Sequence, residues 1–169
     1  IVALAENPLG GLKTRIHGDY HLGQVLIAQD DVCIVDFEGE PSRTAEERRA
    51  DAAPLRDVAG MLRSFAYAAA SATRDVSQRL PEARPRIEAI AENWRAQAET
   101  AFLDAYREAC GDSPVWIADE VPRLALLRLF LLSKALYEVA YEANNRPDWI
   151  ETPLAGVLSL MGRREEEPA

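Results

Sequence analysis

The sequence predicts an α+β fold that is mostly helical, with a small β-hairpin beside a catalytic loop. Apolar residues recur every three to four positions over long stretches of the 169-residue chain, as they do in helices that pack on a core. Residues 14–36 instead alternate or form short apolar runs, which is typical of a strand, a loop and a hairpin. Two motifs containing acidic residues flank that hairpin and favour phosphoryl-transfer chemistry.

Three helices are predicted from the regular spacing of apolar residues, and their ends from residues that terminate helices. The first is predicted from Leu55 to a point before the proline-containing segment 79–85, with an apolar side made of Leu55, Val58, Leu62, Phe65 and Ala69. The second is predicted from Arg86 to Cys110, with its packed side made of Ile87, Ile90, Trp94, Ala101 and Ala105. The third runs from Val121 to Asn144. Residues 37–54 are predicted to be a loop with at most a turn or two of helix.

Composition excludes several classes of protein. The net charge of −9 argues against a nucleic-acid surface, which would be basic. The two cysteines, Cys33 and Cys110, lack metal-like spacing, and we interpret them as reduced and structural. The longest apolar stretch, from Leu124 to Leu132, is interrupted by Arg128 and is too short to span a bilayer. No secretion signal is visible, so we expect a cytoplasmic protein with no membrane and no nucleic-acid partner.

The two motifs carry the residues that phosphoryl transfer requires. The first, His17 to Gln24, reads HGDYHLGQ, and the second is Asp36-Phe37-Glu38. Asp19 lies in a predicted loop, where its carboxylate can accept or orient the proton of an attacking alcohol. Gln24 and Asp36 offer hard oxygen donors of the kind that Mg²⁺ prefers.

The two histidines of the first motif allow a different interpretation. His17 and His21 have a spacing that also occurs in zinc sites. Gly18 argues against a helix at this point, and the chain has no third histidine. We therefore expect both rings to hold the loop by hydrogen bonds, and a zinc hydrolase is a remote alternative.

These residues resemble a known group of enzymes. The order His-Gly-Asp-x-His, an amide residue, a hairpin and Ile-Val-Asp-Phe-Glu resembles the aminoglycoside-phosphotransferase and choline-kinase group of small-molecule kinases. The longer string from His17 to Pro41 resembles bacterial maltokinases more closely, including the maltokinase domain that some bacteria fuse to trehalose synthase. Segments 54–64 and 137–149 resemble the same family, so the resemblance covers most of the chain.

The resemblance implies a fold, an activity and site residues. The fold would be the C-terminal lobe of a protein-kinase-like, aminoglycoside-phosphotransferase-like enzyme. The activity would be transfer of the γ-phosphoryl group of ATP, with Mg²⁺, to maltose, giving maltose 1-phosphate for trehalose, glycogen and α-glucan metabolism. Asp19 would be the catalytic base, and Asp36 and Gln24 would be metal ligands, with Gln24 replacing the asparagine of most relatives. Asp57 would tie the catalytic loop to the first helix.

A candidate sugar-binding face lies on the third predicted helix. Its polar residues fall at spacings of three and four, namely Lys134, Tyr137, Glu138, Tyr141, Glu142 and Asn145. The opposite side carries Leu132, Ala135, Leu136, Val139 and Ala140. Tyrosine rings can stack on a sugar while carboxylates accept from its hydroxyls. On spacing alone, an ordinary amphipathic helix with solvated ion pairs is the better explanation, but the resemblance reverses this and favours an acceptor pocket with Arg146 at its edge.

The domain organisation follows from what the sequence lacks. We find no glycine-rich phosphate loop and no strand lysine with a helical glutamate partner. In kinase-like folds these parts precede the catalytic loop. We therefore expect residues 1–162 to form the C-terminal catalytic lobe and 163–169 a charged tail. The nucleotide-binding N-terminal lobe would be absent from this chain, which should be inactive alone, and its partners would be that lobe or a fused trehalose synthase domain.

Two alternatives remain open at this point. A glucosamine kinase, or another small-molecule kinase of the same superfamily, would use the carboxylates of Glu138 and Glu142 to bind a cationic amine. A non-catalytic sugar-binding domain fused to a trehalose-converting enzyme would bind sugar without ATP turnover, although the intact set Asp19, Gln24 and Asp36 argues against it. Phosphate-binding or surface roles are left undecided for Arg43, Arg48, Arg49 and Arg63.

Overall fold

The fold consists of a β-hairpin followed by a series of helices. The computed structural model describes residues 11–41 and 43–162. The hairpin is formed by β1 (Val25–Ala28) and β2 (Asp31–Ile34), and the helices are α1 (Ala45–Arg49), α2 (Leu55–Arg79), α3 (Arg84–Cys110), α4 (Glu120–Asn145) and α5 (Glu151–Gly162). Short 3-10 turns lie at Leu22–Gln24, Pro81–Ala83 and Pro147–Trp149. The prediction of a mostly helical chain with a small two-stranded sheet is confirmed.

The hairpin is closed by a tight turn. β1 and β2 pair antiparallel, with Val25 opposite Ile34 and Ala28 opposite Asp31. The two residues between the strands, Gln29 and Asp30, have φ angles of 50° and 64°. Positive φ at both central positions gives the turn a twist that matches that of the strands. Most hairpin side chains are exposed, so the hairpin positions the two acidic motifs rather than contributing to the core.

Helix α2 is the centre of the core. All five apolar residues predicted for its packed side are buried, which confirms that part of the prediction. All of them except Ala69 belong to one buried cluster with Ile117 and with Leu126 and Leu127 of α4. The helix continues to Arg79, further than the prolines suggested, because Pro81 begins a separate 3-10 turn. Burial of a leucine-sized side chain contributes about 1.5–3 kcal/mol, so this cluster fixes the platform on which the catalytic loop rests.

The packed side of α3 differs from the predicted one. Ile90 and Trp94 are largely exposed, and the residues that pack on the core are Ala98, Phe102, Leu103 and Tyr106. The stripe was missed because Arg95 lies on the same side of the helix, where it pairs with Glu99 at 2.5 Å. Because Arg95 is charged, the spacing of apolar residues alone does not reveal the packed side of α3.

Helix α5 was not predicted, because its sequence contains residues that usually interrupt helices. Pro153 lies in the first turn, where the missing N–H costs no helical hydrogen bond. Gly156 lies directly against the guanidinium group of Arg63, so that a side chain there would clash. The glycine is thus explained by a close approach between α5 and α2.

The described residues begin at Gly11. Next to it, the N–H of Leu12 donates to the carbonyl of Pro114 at 2.9 Å. The charged tail predicted at 163–169 lies outside the described residues. Within the described part of the chain, no helix is long and apolar enough to cross a membrane.

Candidate active site

The loop that carries Asp19 is fixed to the first turn of α2. The carboxylate of Asp57 accepts hydrogen bonds from two successive backbone N–H groups, those of His17 at 2.7 Å and Gly18 at 2.9 Å. Burial raises the pKa of Asp57, and the two backbone hydrogen bonds oppose that rise. Gly18 has a φ of 87°, a left-handed conformation that suits glycine. The contact that the resemblance assigns to Asp57 is therefore present.

His17 links the catalytic loop to the strand that precedes Asp36. Its Nε2 lies 2.8 Å from the carbonyl oxygen of Val35, and its Nδ1 lies 3.3 Å from the backbone N–H of Asp19. Because a backbone N–H can only donate, Nδ1 is the acceptor and Nε2 carries the proton given to Val35. The buried ring also packs 4.9 Å from that of Phe37, centroid to centroid. Both ring nitrogens thus hold the loop.

Gly60 allows the catalytic loop to rest directly on α2. A methyl group added at this position would lie 2.5 Å from the carbonyl oxygen of Tyr20, which is backbone and cannot move independently of the loop. The backbone of the loop and the helix are therefore in contact next to Asp19.

Replacement of Gly60 by alanine should displace the catalytic loop. We expect Gly60→Ala to lower kcat by about 10²-fold in the full-length protein, the scale expected for a displacement of about 1 Å in a catalytic group. Gly162→Ala is the matched control, because an added Cβ there meets nothing within 4 Å. Steady-state kinetics on both variants tests this expectation. Equal kcat values would show that the loop tolerates the added methyl group.

Asp19 lies beside a small cavity. The cavity measures about 60 Å³, and α2, α4, the catalytic loop and the segment after β2 line it, with Asp19, Glu40, Arg56, Lys134 and Tyr137 among the lining residues. Oδ1 of Asp19 lies 3.3 Å from Nζ of Lys134, and Oδ2 lies 3.9 Å from Nε2 of His21. Small-molecule sites usually occupy about 300–1,000 Å³. The cavity is therefore smaller than a typical small-molecule site.

A much larger groove lies elsewhere on the surface. It measures about 1310 Å³, runs between α2, α3 and α5, and is lined by Arg74, Arg95 and Trp149 among others. Neither Asp19 nor Asp36 lines it. We assign the candidate active site to the smaller cavity, because size without the groups that carry the chemistry does not define a catalytic site.

Gln24 and Asp36 meet at one end of the hairpin. The side-chain amide of Gln24 donates to Oδ2 of Asp36 at 2.9 Å. The backbone carbonyl oxygen of Gln24 accepts from the backbone N–H of Val35 at 3.0 Å. Asp36 has a φ of 64°, a left-handed conformation that is uncommon for residues other than glycine, although aspartate adopts it more readily than most. His21 accepts a hydrogen bond from the N–H of Gly23 and caps the short turn that leads to Gln24. The loop thereby directs both oxygen-bearing side chains to one place.

These two side chains fit a magnesium ion. Mg²⁺ is commonly held by one or two protein oxygens, with water and substrate phosphates completing the shell. Within residues 11–41 and 43–162, no group of three or more His, Cys, Asp and Glu residues is arranged to hold a metal. Rotation of the Gln24 side-chain amide would turn its oxygen, rather than its nitrogen, towards the ion. The donor set therefore suits a metal held mainly through nucleotide phosphates.

The predicted sugar face divides into two parts. Lys134 and Tyr137 line the cavity beside Asp19, and the rings of Tyr137 and Tyr141 stack with centroids 6.4 Å apart. Asn145 is exposed and donates from its side chain to the carbonyl of Tyr141 at 2.8 Å. Arg146, at the C-terminal end of α4, lies over the ring of Tyr141. These residues remain predicted ligands of the acceptor.

Glu138 and Glu142, in contrast, face α2 and are engaged by protein partners. Glu138 is 9 % exposed and pairs with Nη2 of Arg63 at 2.6 Å. Glu142 is 1 % exposed and accepts from the hydroxyl of Tyr67 at 3.1 Å and from Arg146 at 2.6 Å. The alternative of a solvated stripe does not hold at these two positions, because both carboxylates are buried and paired with arginine side chains.

The opposite side of α4 is less buried than expected. Ala135 is buried, but Leu136 is 53 % exposed, and Ala140 is exposed as well. The side of α4 that packs on the protein therefore includes the two glutamates rather than Leu136 and Ala140. The arginines that pair with these glutamates come from α2 and from the end of α4.

The comparisons with known proteins identify similar enzymes but no family model. No protein-family model matches the chain. The chain is 32% identical over 162 residues to a glucosamine kinase of Streptacidiphilus jiangxiensis, covering 96% of this chain and 34% of the relative. It is 33% identical over 148 residues to a glucosamine kinase of Mycolicibacterium smegmatis, covering 86% of this chain and 34% of the relative.

Solved structures show the same similarity. A glucosamine kinase in complex with glucosamine, ADP and inorganic phosphate superposes with a TM-score of 0.67 at 31% identity, covering 87% of this chain and 34% of that one. The fold of the chain is thus that of part of this kinase. The chain spans about a third of the length of the curated relatives it matches.

The prediction of a maltokinase is wrong. The curated relatives and the solved structure are all named glucosamine kinase. Nothing in the comparisons supports maltose as acceptor, a role in trehalose or glycogen metabolism, or a fused trehalose synthase domain. The error arose because the string from His17 to Pro41 carries the phosphoryl-transfer residues, which do not determine the sugar. The relatives agree with the expectation of a phosphotransferase that acts on a sugar, and the bound ADP agrees with the use of ATP.

Proposed function

We propose that this chain is the catalytic, acceptor-binding lobe of an ATP-dependent glucosamine kinase. The observation that carries the proposal is the anchored loop: Asp57 fixes its backbone, and Asp19 on that loop faces a cavity shared with α4. The similarity to glucosamine kinases supplies the class of acceptor. The chain spans 34% of these relatives, and the nucleotide-binding lobe of the proposed enzyme would lie outside this chain.

Asp19 acts on the acceptor hydroxyl. Its carboxylate accepts the hydroxyl proton as the sugar oxygen forms a bond to the γ-phosphorus of ATP. The bond from that phosphorus to the bridging oxygen breaks, and ADP leaves with the electron pair. Lys134, which lies 3.3 Å from Oδ1 of Asp19, limits how that carboxylate can turn.

Gln24 and Asp36 would hold Mg²⁺. A bound magnesium ion supplies positive charge that offsets the negative charge of the phosphates. The hydrogen bond between the two side chains keeps them together at the hairpin end in the absence of the ion. The left-handed backbone of Asp36 supports this role, because uncommon backbone conformations concentrate at functional sites.

The sugar would lie at the open side of the cavity. Tyr137 and Tyr141 offer ring faces for the apolar side of a hexose. Asn145 and Arg146 offer polar groups at the end of the same helix. Glu138 and Glu142 are occupied by Arg63, Tyr67 and Arg146, so they would stabilise this helix rather than bind the amine directly.

A product assay on the full-length protein tests the proposal. ATP and Mg²⁺ would be supplied with glucosamine, N-acetylglucosamine or glucose, and new phosphate esters followed by ³¹P NMR. We expect a new signal with glucosamine and at most a weak one with the other two sugars, which lack the free amine. Equal transfer to all three sugars would overturn the choice of amino sugar. Sugar binding without any transfer would favour a non-catalytic binding domain.

A further inference from the structure

Glu40 is a buried carboxylate to which the proposed reaction assigns no role. It follows the second acidic motif and is only 5 % exposed. Burying a charged group is costly unless partners compensate it, so the partners of this carboxylate are part of the structure of the site.

Two glycines bring Glu40 to the catalytic loop. Gly39, directly before it, has a φ of 78°, and Gly18 of the catalytic loop has a φ of 87°. A methyl group added to Gly18 would lie 3.2 Å from the Cα of Gly39. The backbones of Gly18 and Gly39 are therefore in contact, at a distance that side chains would prevent. This contact places Glu40 in the lining of the cavity beside Asp19.

Cations surround the Glu40 carboxylate. Its Oε1 accepts from Nζ of Lys134 at 3.0 Å, and its Oε2 accepts from Nε of Arg43 at 3.0 Å. Nη2 of Arg56 lies 3.9 Å from the same Oε2. Burial alone would raise the pKa of Glu40, but Lys134 and Arg43 together lower it. Glu40 is thus a permanent anion at neutral pH.

Lys134 connects this anion to the catalytic aspartate. Its ammonium group lies 3.0 Å from Oε1 of Glu40 and 3.3 Å from Oδ1 of Asp19. Burial would lower the pKa of Lys134, but Glu40 and Asp19 outweigh burial and raise it. The charged ammonium therefore bridges two carboxylates that lie 21 positions apart in the chain (Asp19 and Glu40).

We propose that Glu40 is a positioning residue that fixes the Lys134 ammonium on Oδ1 of Asp19 and so leaves Oδ2 directed at the acceptor hydroxyl. Oδ2 lies 3.9 Å from His21 Nε2, beyond hydrogen-bond range. Without Glu40, Lys134 would be free to move onto Asp19 alone and occupy both of its oxygens. This inference rests on the proposed function, because it assigns Asp19 as the base.

A purely structural role makes a different prediction. In that case Glu40 would serve only to compensate the charges of Arg43 and Arg56. Its loss would then lower kcat by the same factor whether or not Lys134 is present. The two roles differ in whether the effects of substitutions at Glu40 and Lys134 are independent, which a double-mutant cycle measures.

The test uses Glu40→Gln, Lys134→Met and the double variant in the full-length protein. We expect Glu40→Gln to lower kcat by about 10-fold or more, with the KM for ATP unchanged. In the Lys134→Met background the same substitution should have no further effect on kcat. Glu46→Gln, an exposed carboxylate on α1, is the matched control and should retain wild-type kcat. An equal fold-loss from Glu40→Gln with and without Lys134 would overturn the proposal, and so would an unchanged kcat in Glu40→Gln.

A second measurement does not depend on turnover. The ammonium signal of ¹⁵N-labelled Lys134, assigned by its loss in Lys134→Met, should be visible in the wild-type protein and broadened or lost in Glu40→Gln. An unchanged signal would show that Glu40 does not fix the lysine. If the wild-type enzyme phosphorylates no sugar, the proposed function fails, whereas this NMR result still decides whether Glu40 holds Lys134.

Discussion

Asp19→Asn in the full-length protein should lower kcat by about 10²–10⁴-fold, the contribution expected of a positioned general base. Asparagine has nearly the same shape and can still accept from Lys134 through its amide oxygen, but it cannot take the proton of the attacking hydroxyl. The KM for ATP should change little, because the nucleotide is bound mainly elsewhere in the proposed protein. Steady-state kinetics with glucosamine as acceptor measures both constants.

The matched control for this prediction is Asp30→Asn. Asp30 is an exposed residue of the hairpin turn with a φ of 64°, a conformation that asparagine also tolerates well. It should retain wild-type kcat and melting temperature. If Asp19→Asn also turned over at a rate close to wild type, the assignment of Asp19 as the base would be wrong.

Arg63→Met should lower the free energy of unfolding by about 3–5 kcal/mol, the cost of leaving one member of a buried ion pair without its partner. Arg63 is 6 % exposed, and its Nε and Nη2 lie 2.8 Å and 2.6 Å from Oε2 of Glu138. Glu142 and the hydroxyl of Tyr67 lie nearby and would not compensate the lost cation. Urea denaturation at pH 7 measures the change.

The pH dependence of the Arg63→Met deficit provides a further test. Burial raises the pKa of Glu138, and Arg63 opposes that rise. Without Arg63, the pKa of Glu138 in the folded state would lie further above its value in the unfolded state, so the folded state would bind a proton more readily. The loss of unfolding free energy in Arg63→Met should therefore shrink as the pH falls through the folded-state pKa of Glu138. The double variant Arg63→Met with Glu138→Leu is the control and should recover most of the stability. A deficit independent of both pH and Glu138 would contradict this account.

The hairpin and the core side of α2 could be predicted from sequence because their signals are local. Asp19, Gln24 and Asp36 lie in short motifs, and the core side of α2 shows an uninterrupted apolar period. Glu138 could not be placed in the same way. A charged residue on an amphipathic helix is assigned to solvent unless its partner is known, and Arg63 lies 75 positions away in the chain.

Glu40 and α5 were missed for related reasons. The contact between Glu40 and Lys134 joins residues 94 positions apart, and no spacing rule connects them. Helix α5 contains Pro153 and Gly156, which are acceptable only because one lies in the first turn and the other lies against Arg63. The maltokinase prediction was wrong since the motifs on which it rested are typical of phosphoryl transfer and do not specify the sugar.

The most direct test of the central claim is a crystal structure of the full-length protein with glucosamine and ADP. The measured quantity is the distance from the Asp19 carboxylate to the nearest sugar hydroxyl oxygen. We predict a separation within hydrogen-bond reach, about 2.6–3.2 Å, with Lys134 still bridging Asp19 and Glu40. A sugar bound in the groove between α2, α3 and α5, with Asp19 making no contact to it, would contradict the account.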